Sequence, residues 1–273
     1  MPWLVPSHPA PLLPLKLWKP AAFSGLALCI GAAAPDLEFV LQVQQDWVIS
    51  HTLVGQLLFT LPVVLALHAL LTSIVLPWLV PLLPFGPPWH FEDLVRLRPA
   101  TTPADWGRVA TSGVIGGLSH VVLDGFTHGT HSGWAVPYFP ALATPVPLPA
   151  GPVPFHDVLH VTLTIVLGAW AIRMARDIGR RRLIAAWYPG TESASREATP
   201  FQRRWALGFF LTCAALGIAV GAGRAHTQRE WIELCANGAL ALTFYGLVLA
   251  ATLDRVRVSF GTIRRPAPEP SEG

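Results

Sequence analysis

The stretch Leu53 to Pro84, LVGQLLFTLPVVLALHALLTSIVLPWLVPLLP, runs for 32 residues without one Asp, Glu, Lys or Arg. A helix crossing a bilayer needs about 20 apolar residues, so this run is more than one span long. Pro62, Pro77, Pro81 and Pro84 are expected to kink the helix and end it, with its C-terminal part along the interface. Working outward, further apolar segments fall at about 21 to 34, 109 to 123, 158 to 172, 205 to 222 and 232 to 253. Across all 273 residues only 13% are charged, 52% are hydrophobic and the mean hydropathy is +0.47. A soluble domain carries about 25% charged residues, so an ordinary cytosolic enzyme is excluded. The fold class is all-α: a polytopic membrane helix bundle of about six membrane-embedded helices.

The bundle reads as one domain over residues 1–262, with the residues that could carry chemistry in its first half, about 1–160. Residues 263–273 are rich in Pro, Glu and Ser and are expected to form a disordered tail. Met1 to Pro14 holds five prolines and no basic side chain, so no cleaved signal peptide is expected. Nineteen Lys and Arg against 16 Asp and Glu give a net charge of +3. The basic residues do not cluster with aromatics on a soluble face, which excludes nucleic acid as a partner. They mark topology instead. Seventeen lie before the first and third segments, between the fourth and fifth, and after the sixth; only Arg224 and Arg229 fall on the other face. The positive-inside rule makes the larger group cytoplasmic, and the expected location is the inner membrane, crossed several times. Cys29, Cys213 and Cys235 are odd in number and set in apolar surroundings, which suits small buried hydrophobes rather than a disulfide or thiolate site.

With that orientation, Asp36, His51, His120 and Asp124 all come to the outer ends of apolar segments. Ionisable groups at such positions are costly and usually functional. His120 and Asp124 are spaced i, i+4, on one face of a helix. This suits two ligands of one ion, a histidine ligand held by an outer carboxylate, or a plain hydrogen-bonded pair. His8 joins them only if the chain reverses. Lys19-Pro20 disfavours helix at the residue before proline, so Pro9 to Trp18 and Ala21 to Ala34 read as an N-terminal helical hairpin that returns His8 towards Asp36. Gly125 to Trp134 is a glycine-punctuated loop bearing His128 and His131, and His156, Asp157 and His160 open the fourth segment. These offer a further metal, proton-transfer or substrate position, or ordinary loop and cap residues. His68 reads as a packed core histidine.

Ser7-His8-Pro9-Ala10, Gly31-Ala32-Ala33-Ala34-Pro35-Asp36-Leu37-Glu38-Phe39, Ser50-His51-Thr52-Leu53-Val54-Gly55 and Gly117-Leu118-Ser119-His120-Val121-Val122-Leu123-Asp124, followed by Phe126-Thr127-His128, carry a resemblance over about half of the chain. Together they resemble an uncharacterised bacterial integral-membrane family of unknown function. That family is similar to the membrane-bound predicted metal-dependent hydrolases, whose pattern is an early His, Pro-Asp-Ile-Asp, Thr-His-Ser and Ser-His-x-x-x-Asp, with a ligand order like that of zinc-dependent phospholipase C. The chain departs from that pattern where Glu38 replaces the second Asp and where Ser50-His51-Thr52 lacks a preceding His-Arg element. The resemblance implies a divalent metal, zinc, held by His8, Asp36, His51, His120 and Asp124, with Glu38 or His128 moving the proton. The implied substrate is a membrane lipid or lipid-linked ester or phosphodiester at the outer face. The alternative is a non-enzymatic transporter or scaffold that uses the same cluster for an ion or structural metal. A bis-histidine haem protein is a third option, for which only His68 is deep enough. Protein partners are not legible.

Overall fold

A computed structural model describes residues 7–41, 49–129, 132–149, 151–190, 197–225 and 227–263. The expected tail and His131 lie outside these residues. A 3-10 turn at Ala10–Leu12 leads into α1 (Leu13–Trp18), the chain reverses after Lys19, and α2 (Gly25–Leu41) runs back. The hairpin expected from Lys19-Pro20 is therefore present. The Lys16 ammonium donates to the carbonyls of Pro20 and Phe23 and so closes the reversal. It is buried, and that burial, with Arg108 nearby, pulls Lys16 down to about 8.

α3 is one helix over Leu53–Leu82. It is continuous through Pro62 and Pro77. Two wide π turns, Gln56–Thr60 and Leu71–Val75, sit just before Leu61-Pro62 and Leu76-Pro77. A wider turn reseats the backbone where proline supplies no N–H, so the helix absorbs the residue. The run does end at Leu82, in a 3-10 turn that contains Pro81.

α4 (Pro103–Thr127) begins at a capping box, Thr102 and Asp105 satisfying each other's backbone N–H groups, with Pro103 in the first helical position. A short antiparallel pair, Pro145–Val146 with Val153–Pro154, precedes α5 (Phe155–Arg180) and α6 (Leu183–Trp187). α7 (Pro200–Ala222) opens on a second capping box, Thr199 with Gln202, and α8 spans Gln228–Ile263. Among the described residues five helices are long and apolar enough to cross a membrane: Leu53–Leu82, Pro103–Thr127, Phe155–Arg180, Pro200–Ala222 and Leu234–Val256. The remaining expected segment, at about 21 to 34, is α2, whose 17 residues span about 26 Å and pack inside the bundle.

Two seams of small residues bring helices to backbone contact. Along α2 and α4 a Cβ on Gly31 would run into the carbonyl of Gly113, and one on Gly116 into that of Leu28. Gly217 and Gly238 do the same between α7 and α8. Between lipid-embedded helices apolar burial gives no net drive, so close packing of this kind is what holds them. Ser24 N–H donates to Ser112 Oγ across the first seam, and Ala27, Ile30, Ala34, Val64 and Val109 fill the space beside it.

Gly31→Ala should therefore lower stability by about 1–3 kcal/mol, since the neighbouring backbone must shift. Gly168→Ala, where a Cβ meets nothing within 4 Å, should leave it unchanged or slightly raised. Thermal unfolding of the two variants in detergent checks the contrast.

Candidate metal centre

Four side chains from three stretches converge at the end of α4. His120 and Asp124 lie one turn apart on that helix, Asp36 lies on α2 directly after Pro35, and His51 stands just before Thr52, the residue that caps α3 through Thr52 Oγ1 and Gly55 N–H. One ligand atom from each lies within 4.8 Å of all the others. His120 Nε2 is 3.2 Å from Asp124 Oδ2, 3.3 Å from His51 Nε2 and 3.6 Å from Asp36 Oδ1, while His51 Nε2 is 3.2 Å from Asp124 Oδ2. A tetrahedral ion with ligands at about 2.1 Å has ligand–ligand edges of about 3.4 Å. These four separations lie near that value.

The hydrogen bonds behind the two imidazoles fix their protons. His120 Nδ1 is 2.8 Å from the carbonyl oxygen of Ala32, so Nδ1 carries a hydrogen and Nε2 is the nitrogen turned towards the carboxylates. Ser50 Oγ donates to the Pro35 carbonyl at 3.0 Å, which leaves it to accept from His51 Nδ1, also at 3.0 Å. His51 Nε2 is then likewise the nitrogen turned towards Asp124. Two imidazole nitrogens and two carboxylate oxygens thus face one another in or close to the bundle interior; protonated rings make ion pairs there, and neutral rings offer four lone pairs to a cation. A single added proton would bridge one pair of them. A divalent cation satisfies all four at once, and the donor set of two nitrogens and two oxygens suits zinc or a similar ion.

The remaining expected residues take other places. His8 is brought to the site by the hairpin, where its ring stacks on that of His120 at a centroid distance of 4.2 Å; it forms a wall beside the four-atom cluster and is not one of its members. Glu38 is buried, and its carboxylate accepts from the N–H groups of Ile49 and Ser50 at 3.2 and 2.8 Å. These two bonds hang the His51 turn from α2. His128 lies against the cluster, with Nδ1 3.6 Å from Asp124 Oδ1 and 3.2 Å from Thr127 Oγ1. Because Thr127 Oγ1 donates to Leu123 O, it accepts from His128 Nδ1, and His128 Nε2 is left basic. Burial holds His128 below the ordinary histidine range, with Asp124 opposing that shift.

His160 meets the His128 ring edge-on at 4.8 Å and, with Ser7, His8 and Thr127, lines a cavity of about 20 Å³, room for one water. His156 pairs with Asp157 and packs on Gly129, away from the four-atom cluster. His68 packs edge-on to Trp106, as a core residue should.

Sequence reading missed Ser50, the Ala32 carbonyl and Gln56. Gln56 is buried within an otherwise apolar run, donates to Ser50 O and occupies space that Gly117 leaves open. Polarity inside Leu53–Leu82 was the one signal that could have singled it out.

The chain belongs to the family described as domain of unknown function (DUF4184), whose model matches residues 1–252. No curated protein and no solved structure matches it.

Metal content per chain, measured on identically purified proteins, tests the site. The wild type should bind one divalent ion, His120→Ala none, and His68→Ala as much as the wild type. Ser50→Ala frees the His51 ring and should weaken binding about 10–100-fold, the usual cost of losing an outer partner of a ligand.

Proposed function

We propose that the chain is a membrane-embedded, metal-dependent hydrolase of a lipid or lipid-linked ester or phosphodiester. The observation that carries this reading is the set of two imidazole nitrogens and two carboxylate oxygens within 4.8 Å of one another, gathered where apolar helices end. A zinc-type ion bound there supplies an activated water and polarises the scissile group. Asp36, His51, His120 and Asp124 hold the ion, and His128, whose Nδ1 lies 3.6 Å from Asp124 Oδ1, accepts the proton at Nε2. Glu38 and Ser50 keep His51 aimed, and His8 closes one wall.

Lipid as the substrate is supported by the surroundings of His51. Leu53, Val54, Leu57 and Leu58 follow it on α3 and are all well exposed, a surface suited to acyl chains next to the cluster. Helix ends also sit at the depth of the headgroups, where the scissile bond of such a lipid would lie. The Lys and Arg distribution supports a multi-pass inner-membrane protein with the cluster on the outer face.

One observation favours a second reading. Four protein ligands fill a tetrahedron, as in closed structural sites, whereas a catalytic zinc usually keeps one open position. Asp36 is the most distant ligand, at 3.6 Å from His120, and has the most exposed side chain of the three acidic and histidine partners around it. Its release would open the site for catalysis; its retention makes the ion structural or transported.

Zinc-loaded protein in nanodiscs should release product from phospholipid or lipid-linked phosphodiester substrates, and Asp124→Asn should reduce the rate to background. Stoichiometric zinc with no turnover on either substrate class would give the structural reading the lead. Single cysteines introduced at Thr101 and Tyr138, with the three native cysteines replaced, should label from opposite sides of the membrane; labelling from one side overturns the topology.

A further inference from the structure

The face opposite the metal centre holds a second candidate site. Arg108 and His120 lie 12 residues apart on α4, which separates the two ends by about 18 Å. At the Arg108 end a cleft of about 510 Å³ opens between the segment after α3, the first turns of α4 and the chain just beyond α6. That volume is in the range of small-ligand sites. Its lining combines the guanidinium groups of Arg96, Arg98 and Arg108 with Trp187, Tyr188 and Leu26.

The charges in this cleft do not balance. Asp93, the nearest buried carboxylate, is taken by Arg182, whose Nε and Nη2 donate to its two oxygens at 3.1 and 2.6 Å. Arg96 reaches Asp93 only at 3.5 Å, and its Nε has no hydrogen-bond partner among the described residues. Asp105, the one carboxylate on the cleft wall, accepts from Thr102 N–H and Oγ1 in the capping box and meets Arg108 at 3.7 Å. Arg98 is exposed and has no ion-pair partner among the described residues. Three guanidinium groups thus line the cleft beside one carboxylate, Asp105, which is engaged in a cap and meets only Arg108 among them. Tyr188 adds a donor: its hydroxyl accepts from Lys16 Nζ at 3.4 Å, so its own hydrogen is left for another acceptor.

We propose that this cleft binds a phosphate-bearing anion. Guanidinium groups donate in planar pairs to phosphate oxygens, Tyr188 donates a further bond, and the apolar wall accepts whatever the phosphate is attached to. Basic pockets between membrane helices on the cytoplasmic side recognise anionic lipid headgroups in this way. A soluble phosphate reaches the same groups from water.

The full chain in detergent is titrated with phosphatidylglycerol, with phosphatidylcholine and with inorganic phosphate, using native mass spectrometry for the lipids and calorimetry for phosphate. The expected result is one phosphatidylglycerol retained per chain in preference to phosphatidylcholine. Replacing both Arg98 and Arg108 with Gln should weaken retention about 30-fold through loss of two basic contacts. Metal content and thermal midpoint should match the wild type. If the double variant does not fold, Arg98→Gln, at an exposed position, carries the test alone, with about fivefold weakening expected. Phosphate binding that is lost in the same variants supports the site with a soluble ligand, and phosphatidylglycerol binding without phosphate binding supports a headgroup. Equal retention of the two lipids together with no phosphate binding, or anion binding unchanged in the variants, overturns the proposal.

Discussion

The hydrogen bond from His120 Nδ1 to the carbonyl of Ala32 sets the arrangement of the site. It joins α4 to α2, and it can form only because the two helices touch at backbone distance along Gly31, Gly113 and Gly116. A helical carbonyl has an intrahelical partner as well, but it keeps a second lone pair that a buried imidazole can use. Once this bond fixes the His120 tautomer, its other nitrogen must face Asp124, Asp36 and His51. The seam thus supplies both packing and chemistry, and neither survives a wider separation of the helices.

Gathering four acceptors in a buried place is unfavourable unless something positive lies among them. The chain tolerates the cluster at the end of the bundle, where helix termini and a short turn bring polar backbone in any case. Glu38 illustrates the same constraint: its buried carboxylate is satisfied by two otherwise unpaired amide groups of the turn that carries His51. On the opposite face the balance is reversed, with guanidinium groups in excess of carboxylates. The two ends of one set of helices therefore carry opposite electrostatic demands.

Much of this was legible from residue order. The uncharged run from Leu53 to Pro84, the reversal at Lys19-Pro20 and the i, i+4 pair of His120 and Asp124 each follow from local chemistry, and each has its counterpart in the structure. What composition and spacing could not show was how α3 continues past Pro62, because a π turn depends on the packing that absorbs it. The bonds of Glu38 were equally hidden, since they reach amides 11 and 12 residues away, a separation that no helical periodicity describes. His160 came to His128 through the packing of α5 against α4, a long-range relation without a local signature.

The suspension of the His51 turn from Glu38 also bears on how the protein is made. Asp36, Glu38, Ser50 and His51 lie within 16 consecutive residues, so the first half of the cluster can assemble as a local unit early in synthesis. His120 and Asp124 follow some 70 residues later and dock as a second preformed half. Until α4 has inserted and closed against α2, the nascent chain offers an incoming ion two ligands at most. Capture of the ion is thereby tied to completed assembly of the bundle, and a chain that stalls before α4 remains unable to sequester metal at the membrane.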